Sequence, residues 1–249
     1  MIYAAVLAGG IGSRMGADKP KQFLEFGGKP VIVHTVEKFM ECDEIDRVIV
    51  MTPAEWCEYT GEIMSGYFGE KGVQVLSDPE TSGRESAGIL IAPGGATRNE
   101  TLMNAIAVIE ADGGLSGETI IVTHDAVRPF VTDRMIRENI AAAKQTGACE
   151  TAFPATDTII ETDDGKYVGK VPDRSRLWMT QTPQSFGAKK LRELYMSLSE
   201  EEKEVLTDAA RIYVMKGEPV GIVKGDSRNI KITYPQDIEV AEAIYRSIL

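Results

Sequence analysis

Short, almost wholly apolar runs alternate with longer segments of helical period, and this alternation decides what the chain can fold into. The runs at 2–8, 47–52, 72–76, 89–91 and 119–123 are of strand length, and their apolar residues are consecutive rather than every second one. A strand with one wet face alternates apolar and polar residues, whereas a strand covered on both faces does not. Between the runs, residues 30–40, 54–68, 98–111 and 133–146 carry apolar residues at three- and four-residue spacing, and Pro30 opens the first of these helices. Strands buried on both faces and joined by helices imply α/β architecture: a doubly wound, mostly parallel sheet. Two more helices, at 188–198 and 234–249, flank a short strand at 221–224. With neither an internal repeat nor a linker, the chain reads as one domain over residues 1–249.

One stretch breaks the rhythm. Residues 157–176 alternate apolar and polar residues around Asp163-Asp164-Gly165, a hairpin signal with no obvious place in an α/β core. On pattern alone it is either an arm for a second subunit or a solvated surface hairpin.

Composition narrows the function. The 249 residues carry a formal charge of −11, the reverse of the basic footprint that tracks a nucleic-acid backbone. No nucleic-acid partner is expected, while a small-molecule enzyme with a locally basic pocket stays open. Cys42, Cys57 and Cys149 form no CxxC pair, which argues against a disulfide framework and a zinc site and fits a reducing compartment. The apolar N-terminus lacks the basic flank of a signal peptide, and no stretch approaches the 18 or so apolar residues of a membrane span. These features point to a cytoplasmic protein with no membrane partner.

The first strand runs into Leu7-Ala8-Gly9-Gly10-Ile11-Gly12-Ser13-Arg14-Met15-Gly16. Glycines after a strand let the backbone approach a ligand and aim N–H groups at phosphate oxygens. The spacing is neither GxGxxG nor a Walker loop. Alone it is explained equally well as a tight turn, but Arg14, Lys19 and Lys21 follow closely. Free N–H groups plus three cations make a polyphosphate cradle in an otherwise acidic chain; the plainer reading is a solvated charge cluster.

A second constellation closes the 119–123 strand: His124-Asp125-Ala126-Val127-Arg128-Pro129. Ligands in open α/β sheets bind beyond the carboxyl ends of the strands. Asp125 there suits Mg²⁺ shared with phosphate oxygens, and Arg128 suits a second anion. A strand-end histidine is more often structural than catalytic, so His124, like His34, is read as structural. Gly95, Ala96, Thr97, Arg98, Asn99, Glu100 and Thr101 join a strand to a helix with small and hydroxyl groups able to edge a base and a ribose. Lys231 stands inside an apolar, strand-like run, where a lysine needs an anionic partner.

Together these segments resemble the cytidylyltransferases of the nucleotidyltransferase α/β family. The resemblance rests on Leu7-Ala8-Gly9-Gly10 with Arg14 and Met15, Pro20-Lys21-Gln22-Phe23, His124-Asp125-Ala126-Val127-Arg128-Pro129, Thr182-Pro183-Gln184 and Asn229-Ile230-Lys231, in the family's order across nearly the whole chain. It implies a Rossmann-like nucleotidyltransferase fold with a projecting β-hairpin arm. CTP would be bound by Leu7, Ala8, Gly9, Gly10 and residues 95–101, and Arg14 and Lys21 would stabilise the transition state. Arg174 and Lys231 would position a polyol phosphate, with Arg128 and Thr158 also contacting it. Asp125 would hold Mg²⁺, and the arm would make a homodimer in which Arg174 serves the neighbour's site. Of the two acceptor types in the family, Pro53-Ala54-Glu55-Trp56, Gln181-Thr182-Pro183-Gln184-Ser185-Phe186, Leu206-Thr207-Asp208-Ala209 and the 95–101 word look closer to ribitol 5-phosphate than to 2-C-methyl-D-erythritol 4-phosphate. Arg228 departs from the pattern, standing where some members carry a second metal-holding Asp, and the resemblance does not settle the 77–88 loop. A nucleotide sensor that kept the fold would be expected to have lost Arg14, Lys21 or Asp125, and all three are present. A dinucleotide oxidoreductase lacks its fingerprint.

Overall fold

The computed structural model describes residues 1–10, 19–81 and 87–248; Arg14 therefore lies outside the described residues, as do residues 82–86 of the 77–88 loop. The elements in chain order are β1 (Ile2–Leu7), β2 (Glu25–Phe26), β3 (Lys29–Pro30), α1 (Val31–Met40), β4 (Arg47–Thr52), α2 (Cys57–Phe68), β5 (Val73–Val75), β6 (Ile89–Pro93) and α3 (Arg98–Gly113). They continue with β7 (Ile120–Asp125), α4 (Asp133–Thr146), β8 (Ala148–Pro154), β9 (Trp178–Gly187), α5 (Ala188–Met196), α6 (Glu200–Glu204), α7 (Ala209–Met215), β10 (Gly221–Lys224) and α8 (Gln236–Ile248).

Eight strands form one sheet in the order β10-β8-β9-β7-β1-β4-β6-β5, with β2 and β3 a separate antiparallel pair. β1 pairs in parallel with β4 and β7, as do β4 with β6, β5 with β6 and β10 with β8, while β9 runs antiparallel to β7 and β8. The doubly wound, mostly parallel sheet follows from the consecutive apolar residues: Tyr3, Ala4, Ala5 and Val6 of β1 are all fully buried, and so are residues 48–51 of β4. Side chains of alternate parity face opposite ways. Val6, Val48, Val50 and Val122 therefore join one core layer with α1, α2 and α4, and Tyr3, Ala5, Ile49 and Ile121 join the other with α3, α5 and α7.

Caps set the helix starts where the sequence carries them. Thr132 accepts from the Met135 N–H to open α4, and left-handed Gly147 closes it. The strands β8 and β9, and the helices α6 and α7, have no counterpart in the apolar pattern. In β9 the Thr182-Pro183 pair is accommodated by a register shift: Glu150 faces Gln184 but Thr151 faces Gln181, so residues 182 and 183 bulge out of the ladder. A bulge is where a strand tolerates a proline, which has no N–H to donate.

The 157–176 stretch projects as expected but forms less hairpin than its pattern implied. Its ladder is the bridge between Glu161 and Lys170. The reversal falls on the Asp-Asp-Gly word: the Thr162 hydroxyl accepts from the Gly165 N–H, Asp164 accepts from the Lys166 and Tyr167 N–H groups, and Gly165 adopts φ +70°. Ile159, Ile160, Tyr167, Val168 and Val171 are exposed along it. With no face to bury them in this chain, a longer ladder gains nothing from packing.

Candidate active site

After β1 the sheet is extended on one side by β4 and on the other by β7, so the crevice beyond β1 and β7 is a topological switch point. Leu7 and Asp125, the last residues of these neighbouring strands, are register partners. The glycine turn and Asp125 thus emerge side by side. The third wall comes from β6, whose exit is tied to β4 by the Gly94 N–H donating to the Thr52 carbonyl at 2.8 Å. A Cβ at Gly95 would lie 2.3 Å from Glu100 Cβ, so only glycine lets the loop fold this tightly onto the start of α3. Thr97 caps that helix in a reciprocal capping box with Glu100, and the Thr101 hydroxyl accepts from the Gly95 N–H at 3.0 Å.

These walls enclose a cavity of about 310 Å³. Residues 7–10 and 95–98, with Lys21, Gln22, Thr101, Asp125, Val127 and Lys231, line it. Asp125 is the carboxylate at its centre and answers three cations: Arg98 Nη1 at 2.5 Å and Lys231 Nζ at 2.9 Å reach it from the cavity wall, and Arg128 Nε lies 3.5 Å away behind it. Burial acts most strongly on its carboxyl and pushes the pKa up. Arg98, Lys231 and Arg128 more than offset that and hold it well below the usual carboxylate range. In a chain of charge −11, the cavity wall gathers three basic side chains around one acid. This suits a ligand carrying several negative charges.

The cations are held by neutral groups to which the sequence alone assigned no role. Lys21, 9 % exposed, donates from Nζ to the Ile232 carbonyl at 3.0 Å, and Gln22 donates to the Ala8 carbonyl at 2.7 Å. The segment carrying Lys231 is not a strand. It is an irregular stretch tied to Val127 by the Ile232 N–H and gripped at the Asn229 carbonyl by Arg128 Nη1 at 2.9 Å. Asn229 Nδ2 donates to the Thr182 carbonyl within the β9 bulge, and Thr182 Oγ1 accepts from the Asp125 N–H. The bulge thus couples Asp125 to the Lys231 segment. Lys231 has the anionic partner its sequence context demanded, and its side chain is 43 % exposed.

Other candidate residues are placed elsewhere. Asn99 is buried behind the cavity, and Glu100 spends its carboxylate on the capping box. Arg128 backs the site without lining it. Thr158 and Arg174 belong to the projecting stretch outside the cavity wall, where Arg174 donates to the Thr156 carbonyl at 2.9 Å. Both histidines are structural. His124, fully buried, lies 3.0 Å from the Arg128 carbonyl, and burial pushes its pKa down to about 4. His34 contacts the Phe26 carbonyl and stacks on the Phe26 ring.

Asp125 is the one carboxylate that this wall would offer a Mg²⁺ ion, and it is paired with Arg98 and Lys231. Asp226 does not add a second: its carboxylate is engaged by Arg228 at 3.0 Å, and it lies outside the cavity lining. Among the described residues, no group of three or more His, Cys, Asp or Glu could hold a metal alone. The donor set nevertheless fits Mg²⁺ in its usual mode, one carboxylate completed by substrate phosphates.

Comparison with known proteins agrees with this fold. The family model described as IspD, 2-C-methyl-D-erythritol 4-phosphate cytidylyltransferase, matches residues 2–247. Among solved structures, a 4-diphosphocytidyl-2C-methyl-D-erythritol synthase from Anaerococcus prevotii is 26% identical with a TM-score of 0.76, the match covering 98% of this chain and 96% of that one. The 2-C-methyl-D-erythritol 4-phosphate cytidylyltransferase from Thermus thermophilus is 27% identical with a TM-score of 0.69, covering 99% and 100%. That from Francisella tularensis, at 24% identity and a TM-score of 0.76 over 97% and 98%, shares the fold.

Proposed function

The chain belongs to the 2-C-methyl-D-erythritol 4-phosphate cytidylyltransferase family, nucleotidyltransferases that use CTP, and from that premise we propose the acceptor and the role of each site residue. The acceptor is 2-C-methyl-D-erythritol 4-phosphate, in keeping with the matched family and the names of its solved relatives. A second reading, D-ribitol 5-phosphate giving CDP-ribitol, rests on the words at 53–56, 95–101, 181–186 and 206–209, of which residues 95–98 and Thr101 line the cavity. The sequence leaned toward ribitol; the matched family is described by the other acceptor, so ribitol stands second.

The observation that carries the reading is a cavity at the switch point whose wall holds Lys21, Arg98 and Lys231, the latter two paired with Asp125. An oxygen of the acceptor's phosphate attacks the α-phosphorus of CTP, the bond from that phosphorus to the bridging oxygen breaks, and pyrophosphate leaves. A phosphate monoester has its second pKa near 6, so at neutral pH the nucleophile is already ionised and needs no base. The difficulty is repulsion between anions. Lys21, Lys231 and Arg98 offset it, Arg14 joins them by family resemblance, and residues 7–10, 95–98 and Thr101 orient the nucleotide. Asp125, together with the triphosphate, would hold Mg²⁺, which would supply further charge neutralisation.

The exposed apolar residues of the arm are covered by a second copy of the chain, which places Arg174 in the neighbour's site, where it and Thr158 meet the acceptor phosphate. The three buried cysteines suit a reducing, cytoplasmic setting. Incubation of the purified protein with CTP, Mg²⁺ and each polyol phosphate in turn, following pyrophosphate, tests the reading. Release with 2-C-methyl-D-erythritol 4-phosphate is expected. Release with ribitol 5-phosphate alone selects the second reading, and release with neither overturns both.

A further inference from the structure

The Lys21 ammonium can act only if the backbone beneath it is fixed, and that backbone is a single 3₁₀ turn, Lys21–Phe23. Such a turn, closed by the Phe23 N–H on the Pro20 carbonyl and the Leu24 N–H on the Lys21 carbonyl, is too short to hold its own shape. Its anchor is Phe23, 5 % exposed, which packs against two aromatic rings from the segment that opens α2. Trp56, the residue before α2, lies 5.3 Å from it centroid to centroid and tilted by 38°, and Tyr59 of α2 meets it edge-on at 5.1 Å. The Trp56 and Tyr59 rings also touch each other at 5.6 Å, closing a three-ring cluster. Tyr59 reaches a second point of the same segment: its hydroxyl accepts from Lys19 Nζ at 3.3 Å, and that ammonium lies 5.5 Å from its ring centroid.

We propose that Trp56 and Tyr59 are positioning residues for Lys21, an aromatic clamp from α2 that sets the register of the Lys21 turn against the cavity. The inference rests on the reading of Lys21 as a transition-state cation. Trp56 is not among the residues that line the cavity; it acts through Phe23, two residues along the chain from Lys21. Neither a solvated surface aromatic nor a plain core filler would need to grip the one turn that carries the buried lysine.

The experiment compares Trp56→Ala and Trp56→Phe with the unsubstituted protein. The first readout is the rate of amine acylation by dilute acetic anhydride, resolved by peptide mass spectrometry, at Lys21 and at Lys216, which is held by Glu202 at 2.9 Å and belongs to the opposite face of the sheet. Local opening of the turn should raise the Lys21 rate in Trp56→Ala by about fivefold or more while leaving Lys216 unchanged, with the ring of Trp56→Phe restoring protection. The second readout is turnover. In Trp56→Ala, kcat for pyrophosphate release should fall by about 10- to 100-fold, the scale of a misplaced catalytic group, with little change in KM for CTP. An unchanged Lys21 rate, an equal rise at both lysines, or a raised Lys21 rate with wild-type kcat would each overturn the clamp. If the unsubstituted protein releases no pyrophosphate, the function is wrong, and the acylation rates alone decide whether the clamp exists.

Discussion

Replacing Asp125 by Asn separates binding from turnover in opposite directions. In the cavity the carboxylate is shared by Arg98 at 2.5 Å and Lys231 at 2.9 Å. A triphosphate arriving without metal must draw both cations away from it and then sit beside its charge. A hydrogen bond to a charged group is worth about 1.5–3 kcal/mol net. The Arg98 and Lys231 side chains are 32% and 43% exposed, so solvent screening brings the combined cost down to about 1–2 kcal/mol. At about 1.4 kcal/mol per factor of ten, Asp125→Asn should bind CTP roughly 5- to 30-fold more tightly than wild type in chelator-containing buffer. Isothermal titration calorimetry measures this directly. With Mg²⁺ and acceptor present, the same variant should turn over more slowly. The difference should be flat from about pH 5 to pH 8: a depressed carboxyl pKa contributes its charge above the unfolded value near 3.9 and loses it only on acidification below that. Equal or weaker metal-free binding by the variant would refute the idea that Asp125 occupies the phosphate-binding cations.

Lys21→Ala should lower turnover by about 10²-fold or more, the scale for losing one transition-state donor, with CTP affinity affected less; near-wild-type kcat would remove Lys21 from the chemistry. Arg174→Ala should raise KM for the acceptor far more than for CTP. Mixing Arg174→Ala with Lys21→Ala subunits should restore part of the activity, because a heterodimer contains one site lacking neither side chain. No recovery, once heterodimers are shown to form by native mass spectrometry, would mean that the arm serves its own subunit or only packs.

Where packing and local chemistry agree, the sequence was readable. The runs 47–52 and 221–224 coincide with β4 and β10, and the capped helix 133–146 coincides with α4. Glycines after the first strand and an acid after a buried strand fell beside each other because both strands end at the same edge of the sheet. The strand β9 was not readable. Its residues 180–185 are Thr, Gln, Thr, Pro, Gln and Ser, a polar word whose Pro183 argues against a central strand, and only the two-residue bulge opposite Thr151 makes room for it. Its polar side chains have work that no periodicity reveals: Gln184 bonds Glu150, and Gln181 bonds the Asp226 carbonyl. Lys231 misled in one respect. Apolar neighbours suggested a buried strand, but Ile230 and Ile232 pack toward α8 while Lys231 faces the cavity from an irregular stretch. The choice of acceptor and of a second subunit for the arm rests on family likeness alone, since an exposed apolar hairpin identifies no partner by its pattern.

The central claim is that this cavity directs an acceptor phosphate to the α-phosphorus of CTP. The most direct measurement follows CTP labelled with ³²P in its α-phosphate, incubated with Mg²⁺ and a polyol phosphate, with products separated by anion-exchange chromatography. The account predicts that all released pyrophosphate is unlabelled and that the label appears in a cytidine diphosphate ester formed in equal amount. Label recovered as CMP without ester, as CDP or in no product at all would contradict it, since cleavage would then have occurred at water, at the γ-phosphate or not at all.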